Sequence, residues 1–350
     1  MFRYIFVPSE LPTLQETDNS ISILKFIPNQ TGIYRKHDEI SARFRINASG
    51  WNSRHDAFLD HKEKGEIRIC LIGDSYIEAL QVDFDKSVAE VLEDRLGKSR
   101  AKVYRLGISG APLSQYLYML EEEALSYQPD IVILSLVHND FVESIFGTGG
   151  SYDAGFAKFG YNKQGSLERV DPGQYKRNFA WVIKKSGIFR YWRVRKEVRI
   201  ENFKKIWFRV FGSPGGQHEQ QYVANMEVER SRDGKIKDVI VYAFEQLAAS
   251  AEKNNFRLIV LIDGDRSEIM ASQTTGRSAE KSVRYINEFV LAAGVKQEIE
   301  VIDLWPLFAE YYRHTGEKLT FDSDGHWPEH IHEVVGTALA AYLNQGASNG

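Results

Sequence analysis

Glu66-Ile67-Arg68-Ile69-Cys70-Leu71-Ile72-Gly73-Asp74-Ser75 is an apolar run, broken by one arginine, that ends in a Gly-Asp turn and a serine. A short apolar run closed by turn residues reads as a parallel strand buried on both faces. Working outward, similar runs predict strands at 66–72, 102–106, 130–136, 256–262 and 299–303. Amphipathic stretches at 86–96, 113–127, 236–252, 278–293 and 329–344 predict helices between or after them. This alternation predicts an α/β fold, a three-layer α/β/α sandwich with a flavodoxin-like parallel sheet of about five strands.

Ligands of such sheets bind beyond the carboxyl ends of the strands. Ser75 follows the first predicted strand, Gly110 the second and Asn139 the third, while Asp324 and His326 precede the last helix, which Pro328 helps to start. A serine hydroxyl becomes a good nucleophile when an imidazole takes its proton and a carboxylate fixes that imidazole's tautomer. Ser75, His326 and Asp324 supply these three parts. The backbone N–H groups of Ser75 and Gly110 and the amide of Asn139 suit an oxyanion hole, where losing one donor costs roughly 3 kcal/mol of transition-state stabilisation. Plainer readings stand beside these. Ser75 alone reads as a helix N-cap, and Asn139 with Asp140 as a turn or cap. Asp263 and Asp265 after the fourth strand read as a turn, or else as a cation or polar-substrate site. His326, His330 and His332 lie close together, but Pro328 and the lack of an H-E-x-x-H pattern argue against zinc. No metal and no cofactor are therefore expected, and His330 and His332 are assigned to a solvated helix face.

Four blocks in this order resemble the SGNH (GDSL-type) hydrolase superfamily: Gly73-Asp74-Ser75, Gly107-Ile108-Ser109-Gly110-Ala111, His138-Asn139-Asp140 and Asp324-Gly325-His326-Trp327. The resemblance covers about Glu66 to Leu343, apart from residues 147–235. Phe44-Arg45-Ile46-Asn47-Ala48-Ser49-Gly50-Trp51 is similar to a lead-in of bacterial members. The resemblance implies a serine esterase with Ser75, Asp324 and His326 as triad and Ser75, Gly110 and Asn139 as oxyanion hole; Asp74, which in the family pattern mainly supports the turn, is placed with His138 and Trp327 at the substrate. In the family the acid usually lies three residues before the histidine, but position 323 is Ser. The Asp-x-His-Trp spacing is similar to alginate and peptidoglycan O-acetyltransferase-like members, which makes Asp324 the acid, with Asp322 as the alternative. It also implies an O-acetylated carbohydrate, or a small ester, as substrate. Acyl transfer to a polysaccharide through the same residues is the first alternative. A noncatalytic glycan- or membrane-binding protein is the second.

The flanking segments are read from composition. Residues 1–65 are polar with Pro8, Pro12 and Pro28, and are expected to form an extended arm without a catalytic role. Residues 66–146 and 236–345 make the hydrolase domain. Residues 147–235 are an insertion whose part 171–212 mixes basic and aromatic residues, predicting amphipathic helices that serve as a lid, a small subdomain, or a contact for a peripheral membrane or anionic glycan. At 350 residues, 43% hydrophobic, 26% charged and a net charge of -4, the chain has the makings of a globular core and gives no sign of nucleic-acid binding. Cys70, the single cysteine, excludes an intrachain disulfide and a cysteine zinc site. No run approaches the roughly 18 apolar residues of a membrane span. As written the chain is expected to be cytoplasmic, or periplasmic or membrane-associated if Phe2–Val7 is the stub of an anchor.

Overall fold

The computed structural model describes residues 9–17, 23–145, 155–176, 233–275 and 283–348. Five parallel strands form the central sheet: β3 (Ile67–Gly73), β4 (Ala101–Gly107), β5 (Ile131–Leu136), β8 (Arg257–Ile262) and β9 (Glu300–Asp303), in the order β4-β3-β5-β8-β9. Counted within the sheet, this is the 2-1-3-4-5 order of a doubly wound flavodoxin-like fold. Each strand lies within a residue or so of its sequence prediction. Such boundaries are legible because these strands are covered on both faces and so read as continuous apolar runs.

The period of two along each strand divides the core between the faces. Cys70, Ile72, Tyr104, Leu106, Val132, Leu134, Val260 and Ile262 point into one layer, filled by helices Leu113–Glu122, Asp233–Asn254 and Arg284–Gln297. Ile69, Leu71, Val103, Ile133, Ile259 and Leu261 point into the other, filled by helices Val88–Leu96, Trp305–Thr315 and Glu329–Ser348. The predicted 113–127 helix stops at Glu122 and continues as a 3-10 turn over Ala124–Tyr127. Helices Arg266–Thr275 and Trp305–Thr315 have no counterpart in the sequence prediction.

Residues expected to form an irregular arm are partly a hairpin, β1 (Gln30–Lys36) paired antiparallel with β2 (Ile40–Ile46). The alternation in Ile40-Ser-Ala-Arg-Phe-Arg-Ile46 has a physical cause, since Ile40, Ala42, Phe44 and Ile46 are buried while Ser41 and Arg43 face outward. Trp51 anchors the segment: it is fully buried and its Nε1–H donates to Glu123 Oε1 (3.1 Å), a carboxylate also bonded by Lys25 Nζ (3.0 Å) and the Tyr127 hydroxyl (2.5 Å). A buried charge is tolerable when hydrogen-bonded in this way. In the insertion, 155–176 contain a second hairpin, β6 (Lys158–Tyr161) with β7 (Leu167–Val170). That part is β rather than helical, and most of the predicted 171–212 helices lie outside the described residues. No described helix is long and apolar enough to cross a membrane.

Gly107, at the end of β4, lies directly against the turn that follows β3. A Cβ there would stand 2.1 Å from Glu78 N and 2.5 Å from the Ile77 carbonyl carbon, both backbone atoms. Gly107→Ala is therefore expected to lower stability by about 3 kcal/mol, the upper range for overpacking. Urea unfolding of the two proteins measures this.

Candidate active site

β3 ends at Gly73, and the next turn is the four-residue helix Ser75–Glu78. Asp74 is its N-cap, with Oδ1 accepting the Tyr76 N–H (3.0 Å). The far end is closed by the arm: Asn52 Nδ2–H donates to the Glu78 carbonyl (2.9 Å). Ser75 is thus held at the rim of the sheet, half-buried, on a short turn fixed at both ends.

His326 arrives from the loop before the last helix. Ser75 Oγ–H donates to His326 Nε2 (2.7 Å), and His326 Nδ1–H donates to Asp324 Oδ1, which also accepts the His326 backbone N–H (2.9 Å). These partners set the Nδ1–H tautomer and leave Nε2 free to receive the serine proton. Asp324, not Asp322, is the carboxylate at the imidazole. Asp322 is exposed and its carboxylate pairs with Lys318. Burial works to raise the pKa of Asp324, but the hydrogen bond and charge of His326, with Lys36 Nζ 3.2 Å from Oδ2, outweigh it and hold this carboxyl well below the usual range.

Tyr76 ties the two loops together. Its hydroxyl donates to the Gly325 carbonyl (2.9 Å), its ring lies 4.8 Å from that of His326, and the Arg266 guanidinium sits 4.8 Å from its ring centroid and bonds its hydroxyl. Trp327 packs edge-on against Tyr76, Phe308 and His332.

Gly110 and Asn139 lie at the same edge of the sheet, past β4 and β5. Gly110 is exposed with φ +78°, a left-handed conformation that glycine adopts without strain. The preceding Ser109 N–H donates to Glu78 Oε2, and the Ser75 and Gly110 N–H groups have no protein acceptor among the described residues. Asn139 opens helix Asn139–Glu143 and is half-buried. Asp140 beside it is fully buried, and its Oδ2 accepts the Val137 N–H and the Tyr116 hydroxyl, each at 2.9 Å. Burial, reinforced by the charge of Asp74, keeps the Asp140 pKa raised.

Several sequence assignments are corrected. Trp327 is fully buried, so it supports the histidine loop from beneath and cannot reach a substrate. Asp74 and His138 are also buried: Asp74 Oδ1 caps the serine turn while its Oδ2 lies 3.4 Å from the Ser75 hydroxyl, and His138 Nε2–H donates to Asn287 Oδ1 (2.8 Å). His332 is not solvated. It lies in the core with Nδ1 accepting the Val88 N–H (3.2 Å), and burial drives its pKa down to about 3. Asp263 pairs with Arg266 (3.0 Å), while Asp265 accepts the Glu268 and Val283 N–H groups, both at 3.0 Å, so the turn reading fits them. Tyr76, Glu78, Lys36 and Arg266 were not anticipated. Tyr76 and Glu78 share a turn with Ser75, a local signal, whereas Lys36 has none in the sequence.

A serine, an imidazole and a carboxylate thus stand in one hydrogen-bonded line at the carboxyl edge of a doubly wound parallel sheet. No protein-family model matches the chain, and no curated protein matches it. Among solved structures, an acetyl xylan esterase is similar over 79% of this chain and 100% of its own, at 12% identity and a TM-score of 0.43. An alpha/beta hydrolase enzyme from the metagenome of Lake Arreo, Spain, matches over 79% and 95%, at 11% identity and 0.44. A GDSL-like lipase from Bacteroides thetaiotaomicron matches over 82% and 93%, at 12% identity and 0.37.

The site carries a pH signature. Burial pushes the Glu78 carboxyl up to about 7, against the Ser109 hydrogen bonds that favour its charged form, and raises Asp74 as well. A carboxyl whose folded pKa is raised stabilises the fold below its unfolded pKa, and that contribution is lost as pH rises through about 7. Chemical denaturation at pH 5 and pH 8 is expected to give Glu78→Gln a flatter pH dependence than the parent, by on the order of 1–3 kcal/mol, since Gln keeps the acceptor and removes the titration.

Proposed function

We propose that the protein is a serine esterase of SGNH type. The observation that carries this reading is the continuous line Ser75 Oγ, His326 Nε2, His326 Nδ1, Asp324 Oδ1. Ser75 Oγ attacks the ester carbonyl carbon while its proton passes to His326 Nε2, and Asp324 stabilises the imidazolium. The negative oxygen is received by the Ser75 and Gly110 N–H groups and the Asn139 amide. Collapse breaks the ester C–O bond, and the leaving alkoxide takes the proton from His326 to depart as an alcohol. Water then attacks the acyl-serine, giving its proton to His326, and the carboxylic acid leaves as Ser75 is reprotonated.

The Asp324-Gly325-His326-Trp327 block supports an O-acetylated carbohydrate as substrate. Transfer of the acyl group to a sugar hydroxyl uses the same acyl-serine, with the sugar in place of water.

Hydrolysis of p-nitrophenyl acetate and of longer acyl esters, with intact-mass detection of an acyl adduct, tests the reading. Ser75→Ala is expected to abolish turnover and adduct together, a fall of roughly 10³-fold or more; activity surviving in that variant refutes it. Repeating the assay with an oligosaccharide acceptor separates hydrolysis from transfer by product.

Asn139→Ala is expected to lower kcat about 10²-fold or more, the usual effect of losing an oxyanion donor. The thermal midpoint should stay near the parent value, because the amide has no protein partner among the described residues.

A further inference from the structure

We infer that the β1–β2 hairpin is a strap that positions the acid–histidine loop, with Lys36 and Glu39 as positioning residues for the reaction. This rests on the triad reading above. Two contacts carry it, and both cross nearly the whole chain. Lys36 Nζ reaches Asp324 Oδ2 (3.2 Å) across 288 residues of sequence. At the tip of the same hairpin, the Glu39 carboxylate accepts the Asp322 N–H (2.6 Å), the Ser323 N–H (2.8 Å) and the Ser323 hydroxyl (2.6 Å).

These contacts divide the work. Glu39 holds the backbone just before Asp324, so the loop enters the site at one angle. Lys36 takes the carboxylate oxygen that His326 leaves unused, which fixes the rotation of the carboxyl group and aims Oδ1 at Nδ1. An Asp324 bonded on one oxygen alone could swing away from the imidazole. The hairpin is itself anchored, since Phe44 and Ile46 of β2 are part of the main core and Arg43 of β2 pairs with Asp83 (2.8 Å).

Lys36 also acts through charge. An ammonium against Asp324 offsets part of the negative charge that faces the imidazole. The other charged or titratable groups facing this pair are Asp74 and Glu78 from the serine turn, His332 from the last helix, and Arg266 through Tyr76. Among the described residues, Lys36 is the cation in direct contact with Asp324.

The test uses the full chain and the acetate ester assay, with Lys36→Met, Lys36→Arg and Glu39→Gln beside the parent. Lys36→Met should lower kcat about tenfold with KM little changed, the size of one charge-assisted hydrogen bond. It should also move the acidic midpoint of the kcat/KM profile to higher pH by about half a unit or more. Lys36→Arg should restore that midpoint. Glu39→Gln should lower kcat without moving it, because it loosens the loop and leaves the charge at Asp324 unchanged. An unmoved midpoint in Lys36→Met, whether or not the rate falls, overturns the role of Lys36; a parent-like kcat in Glu39→Gln overturns the strap. Turnover that persists in Ser75→Ala removes the triad reading, whereas Ser75-dependent turnover indifferent to Lys36 and Glu39 removes this inference alone.

Discussion

The backbone contact between Gly107 and the Ile77–Glu78 turn sets the spacing between the serine turn and the loop that bears Gly110. Because no side chain intervenes, the end of β4 and the serine turn share one van der Waals boundary. That closeness lets Glu78 reach forward to the Ser109 N–H, and so binds the serine turn to the loop bearing Gly110. It also presents the Glu78 carbonyl to Asn52, which brings the N-terminal segment into the same unit. A side chain at position 107 would push the serine turn away from the loop that bears Gly110.

Around that contact, environment gives chemically identical groups different states. Asp74, Glu78, Asp140 and Asp263 are carboxyls made weaker acids by burial. Asp324 is largely buried too, yet His326 on one oxygen and Lys36 on the other make it a stronger acid. The carboxylate that touches the imidazole is thus the one whose charge is secured, while its neighbours serve mainly as caps and acceptors. Pairs of acids pushed apart in this way are a common mark of catalytic sites.

The parallel sheet was legible because burial on both faces leaves an unbroken apolar run; the first three blocks each follow such a run, and the fourth lies just before the last helix. What escaped the sequence lies where local pattern and tertiary role disagree. Trp327 adjoins His326 and was placed with the substrate, but adjacent residues on a loop point in different directions, and Trp327 points into the core. His332 looked like a polar residue on a surface helix, yet a hydrogen bond to the Val88 N–H makes its burial tolerable. The β1–β2 hairpin was missed because its first strand, Gln30–Lys36, is half-exposed and does not alternate cleanly. Nothing near Lys36 in the sequence announces a carboxylate 288 positions away.

That separation has a consequence for how the protein is made. Ser75 and His326 are 251 positions apart, and the histidine lies just before helix Glu329–Ser348. On the ribosome, the hairpin and the serine turn therefore emerge while His326 has not yet been synthesised. On the proposed reading, the Ser75 hydroxyl lacks its base until the segment that carries His326 docks, so a product released before then has no activated serine.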